Sequence, residues 1–258
     1  MPMVIQTAER YKHRFFWHGK SGAGKTESLL TLPSPIAIVS FPGEKGYRTA
    51  TDCKRDDVTV WRWEEDDIKG TQSTKLVDIV EKTCLDIIAS GKYQSIGLDG
   101  LHKYVHYALD AVTGGLYFDP EVKEFDRKSY GVCYRKVNGF LNRLSYSKIP
   151  VMAVTAWSDA RRTRGKMFKD EKEDDIPTTI MPDLLGQMHK EIMGEWDVVL
   201  YQSWRKEKPG DAKEIPMWQT RATELVGGCA IKGRRELVEK IPTYIPAVYS
   251  ELIKVLEG

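Results

Sequence analysis

The sequence has few cysteines, and none of them has a second cysteine or a histidine at metal-ligand spacing. His102 and His106 are four residues apart on a predicted helix, but without a third ligand we interpret this spacing as accidental. Among its 258 residues there are four cysteines, and no CxxC pair occurs. Scattered thiols of this kind are typical of reduced core residues in an intracellular protein, not of a disulfide framework or a structural zinc site. The four positions are Cys53, Cys84, Cys133 and Cys229.

Long hydrophobic runs and a large net charge are also missing. No stretch approaches the roughly 20 apolar residues that a membrane-spanning helix needs. The first ten residues, MPMVIQTAER, lack the apolar segment and cleavage site of a secretory signal. We therefore expect a cytoplasmic protein without a membrane partner. Because the net charge is only +2, any binding of nucleic acid has to come from a local basic patch.

Apolar runs of strand length alternate with segments of helical periodicity along most of the chain. This alternation predicts an α/β fold with a mainly parallel sheet, flanked by helices and ending in a C-terminal β-hairpin. One domain over residues 1–258, with its core at about 13–236, accounts for the pattern. Residues 158–178 are highly charged and predicted to be irregular. Strands are predicted at 13–17, 36–40, 58–63, 93–98, 149–157, 196–202 and 216–222, and helices at 25–32, 75–89, 101–112, 121–147, 182–193 and 245–256.

The segment GKSGAGKT matches the phosphate-binding pattern GxxxxGK[ST] and lies between a predicted strand and a predicted helix. Glycines let successive backbone N–H groups point inward, and the following helix aims its positive dipole end at the same anion. An accidental glycine-rich turn would match in roughly one of a hundred chains of this length. We predict that ATP phosphates bind to Gly19, Lys20, Ser21, Gly22, Ala23, Gly24, Lys25 and Thr26.

Two carboxylates follow other predicted strands. Asp99 ends the segment SIGLD, where an aspartate can hold Mg²⁺ together with the Thr26 hydroxyl. The alternative is an ordinary N-cap of the helix that follows, and the two roles are compatible. Glu44 comes after IAIVS, where a carboxylate can activate the water that attacks a γ-phosphate, although PGEKG is also an ordinary turn sequence. Because the carboxyl ends of parallel strands share one edge, Gly19, Glu44, Asp99 and Trp157 should converge there.

The order of these motifs resembles that of the RecA-type ATPases, and more narrowly the phage-encoded RecA-like nucleotide-binding protein ATPases. Some members of that family act in single-strand annealing or recombination. The resemblance covers residues 13–236 and implies a RecA-like P-loop fold, ATP and Mg²⁺ as cofactors, and Glu44 and Lys25 as catalytic residues. It rests on GKSGAGKT, the turn at Glu44, SIGLDGL, VMAVTAW, WDVVLY and WQTRATELVGGCAIKGR.

The chain departs from the family pattern at two places. The family usually has an acidic residue and a threonine before its glutamate, whereas SFPG precedes Glu44 here. The strand after the aspartate often ends in a polar sensor, where this chain has Ala156 and Trp157. Thr155 or Ser158 could take the sensor's place.

The resemblance further implies a catalytic element that reaches a neighbouring subunit's γ-phosphate, formed by Lys232 and Arg234 in IKGR. A cation supplied across an interface would stabilise transition-state charge and couple hydrolysis to self-association as a ring or filament. Arg221 is a further candidate. The alternative is a basic surface loop, which Arg235 would also suit.

A basic segment follows the fifth predicted strand, where the resemblance implies a DNA-contacting loop. Cations and an aromatic side chain suit single-stranded DNA, although DEKEDD next to them would weaken the field and a mixed-charge surface loop remains an alternative. The cations are Arg161, Arg162, Arg164, Lys166 and Lys169.

These features together predict a Mg²⁺-dependent ATPase that acts on single-stranded DNA in phage recombination or replication. Phage or host replication and recombination proteins would be its protein partners. Three alternatives stay open: a DNA-packaging or helicase-loading ring motor, a small-molecule P-loop kinase, and a non-enzymatic interaction protein gated by nucleotide.

Overall fold

A computed structural model shows the chain folded around a mostly parallel β-sheet. It describes residues 13–122, 125–162, 178–185, 188, 196–208, 211–223, 226, 229–231 and 241–257. The strands in these ranges are β1 (His13–Gly19), β2 (Ile36–Ser40), β3 (Val58–Trp61), β4 (Ser95–Asp99), β5 (Val151–Arg162), β6 (Thr178–Pro182), β7 (Val198–Lys206), β8 (Glu214–Gln219), β9 (Ala230–Ile231) and β10 (Tyr244–Pro246). The helices are α1 (Lys25–Leu29), α2 (Tyr47–Asp52), α3 (Glu65–Ile68), α4 (Ser73–Ala89), α5 (Leu101–Val112), α6 (Arg127–Ser145) and α7 (Tyr249–Glu257).

The strand order along the sheet is β10-β8-β7-β1-β5-β4-β2-β3. Six neighbouring strands, from β7 to β3, run parallel. At the β7 end the sheet continues with antiparallel β8 and β10, and β6 and β9 pair antiparallel with β5 and β7. The parallel core and the β7–β8 hairpin confirm the predicted fold class. The strand β5 lies between the strand that leads into GKSGAGKT and the strand that ends at Asp99.

Alternation along β1 separates the core into two layers. Phe15 and Trp17 pack with α1 and α7 on one face, while Phe16 packs with α4, α5 and α6 on the other. This is the period of two that a strand buried on both faces requires. The helix α4 buries one stripe at helical spacing, formed by Leu76, Val77, Val80, Cys84 and Ile87.

Pairing between distant segments changes two of the predicted elements. The strand β5 runs on to Arg162, because β6 pairs with it antiparallel from Ser158 onward. The sequence predicted an irregular segment over 158–178, because this stretch is highly charged. The predicted C-terminal helix at 245–256 is also wrong at its start: residues 244–246 form β10 against β8, and the helix begins at Tyr249.

Smaller differences concern the bounds and the number of the helices. The helix predicted over 121–147 begins at Arg127, because the Asp126 side chain accepts a hydrogen bond from the Ser129 backbone N–H. The helix α1 ends at Leu29 rather than at 32, and α2 and α3 were not predicted. Within the predicted helix 182–193, residues 183–185 are not helical.

Candidate nucleotide-binding site

At the carboxyl edge of the sheet, the ends of β1, β2 and β4 lie nearly level with Trp157 of β5 and border a cleft. Gly19 at the end of β1 is paired with Trp157, and Ser40 at the end of β2 is paired with Asp99. The cleft is lined by residues 21–27, the Glu44–Gly46 turn, Thr49, Asp99, Trp157 and Trp204. The predicted convergence at the carboxyl edge is therefore present in the structure.

The loop after β1 has the shape that an anion-binding cradle needs. Gly24 has φ of 82° and serves as the N-cap of α1, so the loop turns sharply into the helix. The Lys25 ammonium donates hydrogen bonds to the carbonyl oxygens of Gly19 (2.9 Å) and Lys20 (2.8 Å). Burial lowers the pKa of Lys25, and the carboxylates of Asp99 and Glu44 oppose that shift. The ammonium is thus held at the loop, facing two carboxylates.

Asp99 is buried, and both of its carboxylate oxygens accept hydrogen bonds from threonines. Thr26 Oγ1 donates a hydrogen bond to Asp99 Oδ2 (2.7 Å), and Thr155 Oγ1 donates one to Asp99 Oδ1 (2.6 Å). The Gly100 backbone N–H in turn donates to Thr155 Oγ1. Of the two residues considered in place of a polar sensor, Thr155 therefore reaches the site, whereas Ser158 Oγ lies 2.9 Å from His18 Nδ1.

The Thr26 and Asp99 oxygens fit Mg²⁺. Hydroxyl and carboxylate oxygens are the hard ligands that this ion takes from proteins, alongside substrate phosphates and water. Gly46 borders the same two oxygens: a Cβ there would lie 2.2 Å from Asp99 Oδ2 and 2.5 Å from Thr26 Oγ1. Because any larger side chain would occupy this space, Gly46 keeps the face of the pair open.

Glu44 lies against the N-terminus of α5. Its Oε1 accepts a hydrogen bond from the Lys45 backbone N–H (3.0 Å), and its Oε2 is buried with no hydrogen-bond partner in the described residues. Burial, and then the charge of Asp99, raise the pKa of the Glu44 carboxyl. A Cβ on Gly100 would come within 2.8 Å of Glu44 Oε2. The loop of Glu44 thus has Gly46 beside the Asp99 carboxylate, and the loop of Asp99 has Gly100 beside the Glu44 carboxylate.

Two residues of β7 hold the phosphate loop from the other side. Gln202 is fully buried: its Nε2 donates to Ala23 O (3.0 Å) and Ser28 Oγ (2.8 Å), and its Oε1 accepts from Trp218 Nε1 (2.9 Å). Trp204 Nε1 donates to the Gly22 carbonyl over 2.6 Å. Trp204 is 43% exposed, so it lies at the open side of the cleft.

Sequence reasoning missed Gly46, Gly100, Gln202 and His102. A signal was available for Gln202, because it is a polar residue at the end of the apolar run WDVVLYQ. No local pattern marks Gly46 or Gly100, since the requirement for glycine comes from side chains of distant loops. His102 lies at the start of α5, between Asp99 and the face of that helix that packs in the core.

Several predicted residues fall outside this cleft or outside the described ranges. Arg161 and Arg162 lie on β5, paired with residues of β6. Arg221 donates from Nη2 to the Ile241 carbonyl over 2.7 Å. Outside the described residues lie Lys232, Arg234, Arg164, Lys166 and Lys169.

Two kinds of feature are absent from the described ranges. No group of three or more His, Cys, Asp or Glu side chains there could hold a metal ion. In the same part of the chain, no helix combines the length and apolarity that crossing a membrane requires.

Solved structures with a similar fold include ATPases of bacterial type III secretion. One is a prototypical type III secretion ATPase from pathogenic bacteria, with 14% identity, a TM-score of 0.43, and coverage of 74% of this chain and 51% of that one. Another is EscN of enteropathogenic E. coli, assembled with its central stalk EscO, with 13% identity, a TM-score of 0.45, and coverage of 86% and 47%. The chain thus spans about half the length of these proteins, and a likeness of this degree carries no argument about function.

No curated protein matches the sequence. A family model described as an AAA domain (AAA_24) matches residues 11–228, which is most of the chain and includes the phosphate loop, Glu44, Asp99 and β7. The predicted enzyme class, an ATP-hydrolysing P-loop protein, agrees with that family. The chain therefore belongs to the AAA_24 family of AAA domains and is a P-loop ATPase.

Proposed function

We propose that this single-domain ATPase is Mg²⁺-dependent, binds ATP at a subunit interface and works on single-stranded DNA in phage recombination or replication. The observation that carries the hydrolytic part is the position of Glu44. Its carboxylate lines the cleft that also contains Lys25 and the Thr26–Asp99 pair. The proposed base therefore lies in the same cavity as the groups that would stabilise negative charge on the phosphates.

The phosphate loop, Glu44 and Asp99 have separate tasks in this proposal. Backbone N–H groups of residues 19–26 and the Lys25 ammonium hold the β- and γ-phosphates. Glu44 accepts a proton from the attacking water while the oxygen of that water bonds to the γ-phosphorus. The bond between this phosphorus and the oxygen of the leaving ADP breaks. Burial favours this role, because a raised pKa makes the carboxylate a stronger base near neutral pH. Mg²⁺, held by Thr26 and Asp99, would neutralise charge on the phosphates.

The antiparallel ribbon of β5 and β6 supports the DNA-binding part. Its base is at Trp157 and Ser158, beside the nucleotide cleft, and its far end carries Arg161 and Arg162. The basic segment that includes Arg164 joins these two paired strands. Thr155, which contacts Asp99, is on the same strand, so β5 links the nucleotide cleft to the basic segment.

The first experiment compares ATP turnover with no DNA, with single-stranded DNA and with duplex DNA. We expect single strands to stimulate turnover, and stimulation to fall with added salt. The test variant carries Arg164→Ala, Lys166→Ala and Lys169→Ala, and should lose stimulation but keep basal turnover. The control variant changes three exposed lysines elsewhere, Lys69→Ala, Lys75→Ala and Lys92→Ala, with the same change in net charge.

Other outcomes would favour the alternative functions. Stimulation by duplex DNA alone indicates a packaging or loading motor, and phosphoryl transfer to a small molecule indicates a kinase. Equal loss of stimulation in both triple variants would show that only net charge matters, which contradicts a specific DNA-contacting segment.

The interface-bound ATP is tested by mixing two inactive variants. Lys25→Ala impairs its own phosphate loop but keeps Arg234, whereas Arg234→Ala has an intact phosphate loop. If Arg234 acts on a neighbouring subunit, mixed assemblies regain turnover at one type of site. The absence of any recovery in co-assembled mixtures, shown by sedimentation, would overturn the shared site.

A further inference from the structure

His102 is a buried histidine beside the proposed catalytic base that the reaction as described does not use. It is 1% exposed and lies in the first turn of α5, three residues after Asp99. Neither of its ring nitrogens has a hydrogen-bond partner in the described residues. Leaving a buried polar group unpaired costs about 1–3 kcal/mol, so such a group calls for an explanation.

A carboxylate oxygen close to this ring is also unpaired. His102 Nε2 lies 3.7 Å from Glu44 Oε2, too far for a hydrogen bond. Glu44 Oε2 is itself buried without a partner, while Oε1 is held by the Lys45 N–H. A shift of less than about 1 Å would pair both orphan atoms at once. Catalytic hydrogen bonds are often long before the substrate complex forms and shorten within it.

The surroundings of His102 fix the plane of its ring. The imidazole stacks on Trp157, with ring centroids 4.4 Å apart and planes 27° apart. The Lys103 ammonium lies 4.8 Å from the centroid of the same indole. Burial, with the neighbouring Lys103, His106 and Lys25 charges, lowers the pKa of His102 to about 3, so the ring is neutral at physiological pH. A neutral imidazole carries one N–H that it can donate.

We propose that His102 is a positioning residue that donates a hydrogen bond to Glu44 Oε2 and holds the carboxylate toward the attacking water. With both oxygens held, by Lys45 N–H and by His102, Glu44 keeps one orientation in the cleft. Trp157 maintains the ring in place, and the same tryptophan begins the β5–β6 ribbon. The inference rests on the proposed role of Glu44 as the base.

The test compares His102→Leu, which removes the donor, with His102→Gln, whose amide N–H can replace Nε2. We expect His102→Leu to lower kcat about 10- to 100-fold with the KM for ATP unchanged, because a hydrogen bond to a charged group is lost in the transition state alone. His102→Gln should stay within about threefold of the native kcat. The control is His106→Leu, one helical turn further along α5, which should leave kcat unchanged.

Failure of this inference is distinguishable from failure of the proposed function. Equal losses in His102→Gln and His102→Leu, an unchanged kcat in His102→Leu, or a rise in KM alone would overturn the positioning role. If Glu44→Gln leaves turnover intact, the proposed base is wrong instead. Circular dichroism melting of the variants identifies any that do not fold, and His102→Gln preserves most of the buried volume.

Discussion

The two walls of the nucleotide cleft are built in different ways. One wall is the phosphate loop, eight consecutive residues whose shape comes largely from their own backbone and from the helix that they begin. The facing wall combines Glu44, Asp99 and Thr155, which follow or lie on three separate strands. Hydrogen bonds and close contacts between distant loops hold it together. A change to the first wall should therefore affect binding, and a change to the second should affect turnover.

The largest expected effect comes from changing one residue in each wall and comparing ATP binding with turnover. Glu44→Gln keeps the size of the side chain but removes the base, so turnover should fall about 10²- to 10⁴-fold while ATP still binds. Lys25→Ala removes a cation from the phosphates, so ATP affinity should fall about 10- to 100-fold as well. Steady-state hydrolysis and isothermal titration with ATP measure the two effects. Weakened ATP binding in Glu44→Gln, equal to that in Lys25→Ala, would erase the distinction.

A smaller effect is expected when the facing wall is disturbed without changing any polar group. Gly46→Ala places a methyl group against Asp99 Oδ2 and Thr26 Oγ1, although the φ of −60° at this position suits alanine. Displacement of these oxygens by about 1 Å can cost about 100-fold in turnover. Gly139→Ala, in α6 and open to space at Cβ, is the matched control and should leave turnover unchanged. Full activity in Gly46→Ala would show that the two oxygens can move at no cost.

The anchoring of the phosphate loop should appear first in stability. Gln202→Ala removes three hydrogen bonds from a fully buried amide and leaves the Trp218 N–H unpaired. We expect the free energy of unfolding to fall by about 2–4 kcal/mol, measured by urea denaturation. The exposed Gln72 provides the control, because Gln72→Ala should change stability by less than about 0.5 kcal/mol. A loss confined to ATP binding, with unchanged stability, would contradict this assignment.

The smallest effect concerns the dependence of stability on pH. The pKa of His102 falls to about 3 in the folded protein, below the ordinary value of 6.5, so protons bind the unfolded chain more readily. This histidine therefore stabilises the fold above pH 6.5, and its contribution is lost as pH falls from about 6.5 toward 3. Between pH 6.5 and 5, the native protein should lose stability faster than His102→Gln, by at most about 1.4 kcal/mol per pH unit. Parallel curves for the two proteins would show that His102 is not kept neutral.

Prediction from sequence succeeded where the determining interactions are local. The pattern GKSGAGKT, placed between an apolar strand and a helix, indicated the phosphate loop without any knowledge of the fold. Strand and helix alternation indicated the parallel sheet for the same reason. It failed at residues 158–162 and 244–246, where strands form because a distant partner pairs with them. The roles proposed for Lys232, Arg234 and the basic segment remain predictions.

By itself the sequence determined the class of fold, the phosphate loop and the likeness of this chain to P-loop ATPases, because these depend on short-range pattern and backbone geometry. Only the tertiary structure decided how the facing wall is assembled. The openness of the Thr26–Asp99 pair depends on the missing side chain of Gly46, which lies about 20 residues from one partner and more than 50 from the other. The approach of His102 Nε2 to Glu44 Oε2 likewise joins the first turn of α5 to the turn that follows β2. Contacts of that range exist only once the strands have paired and aligned their ends.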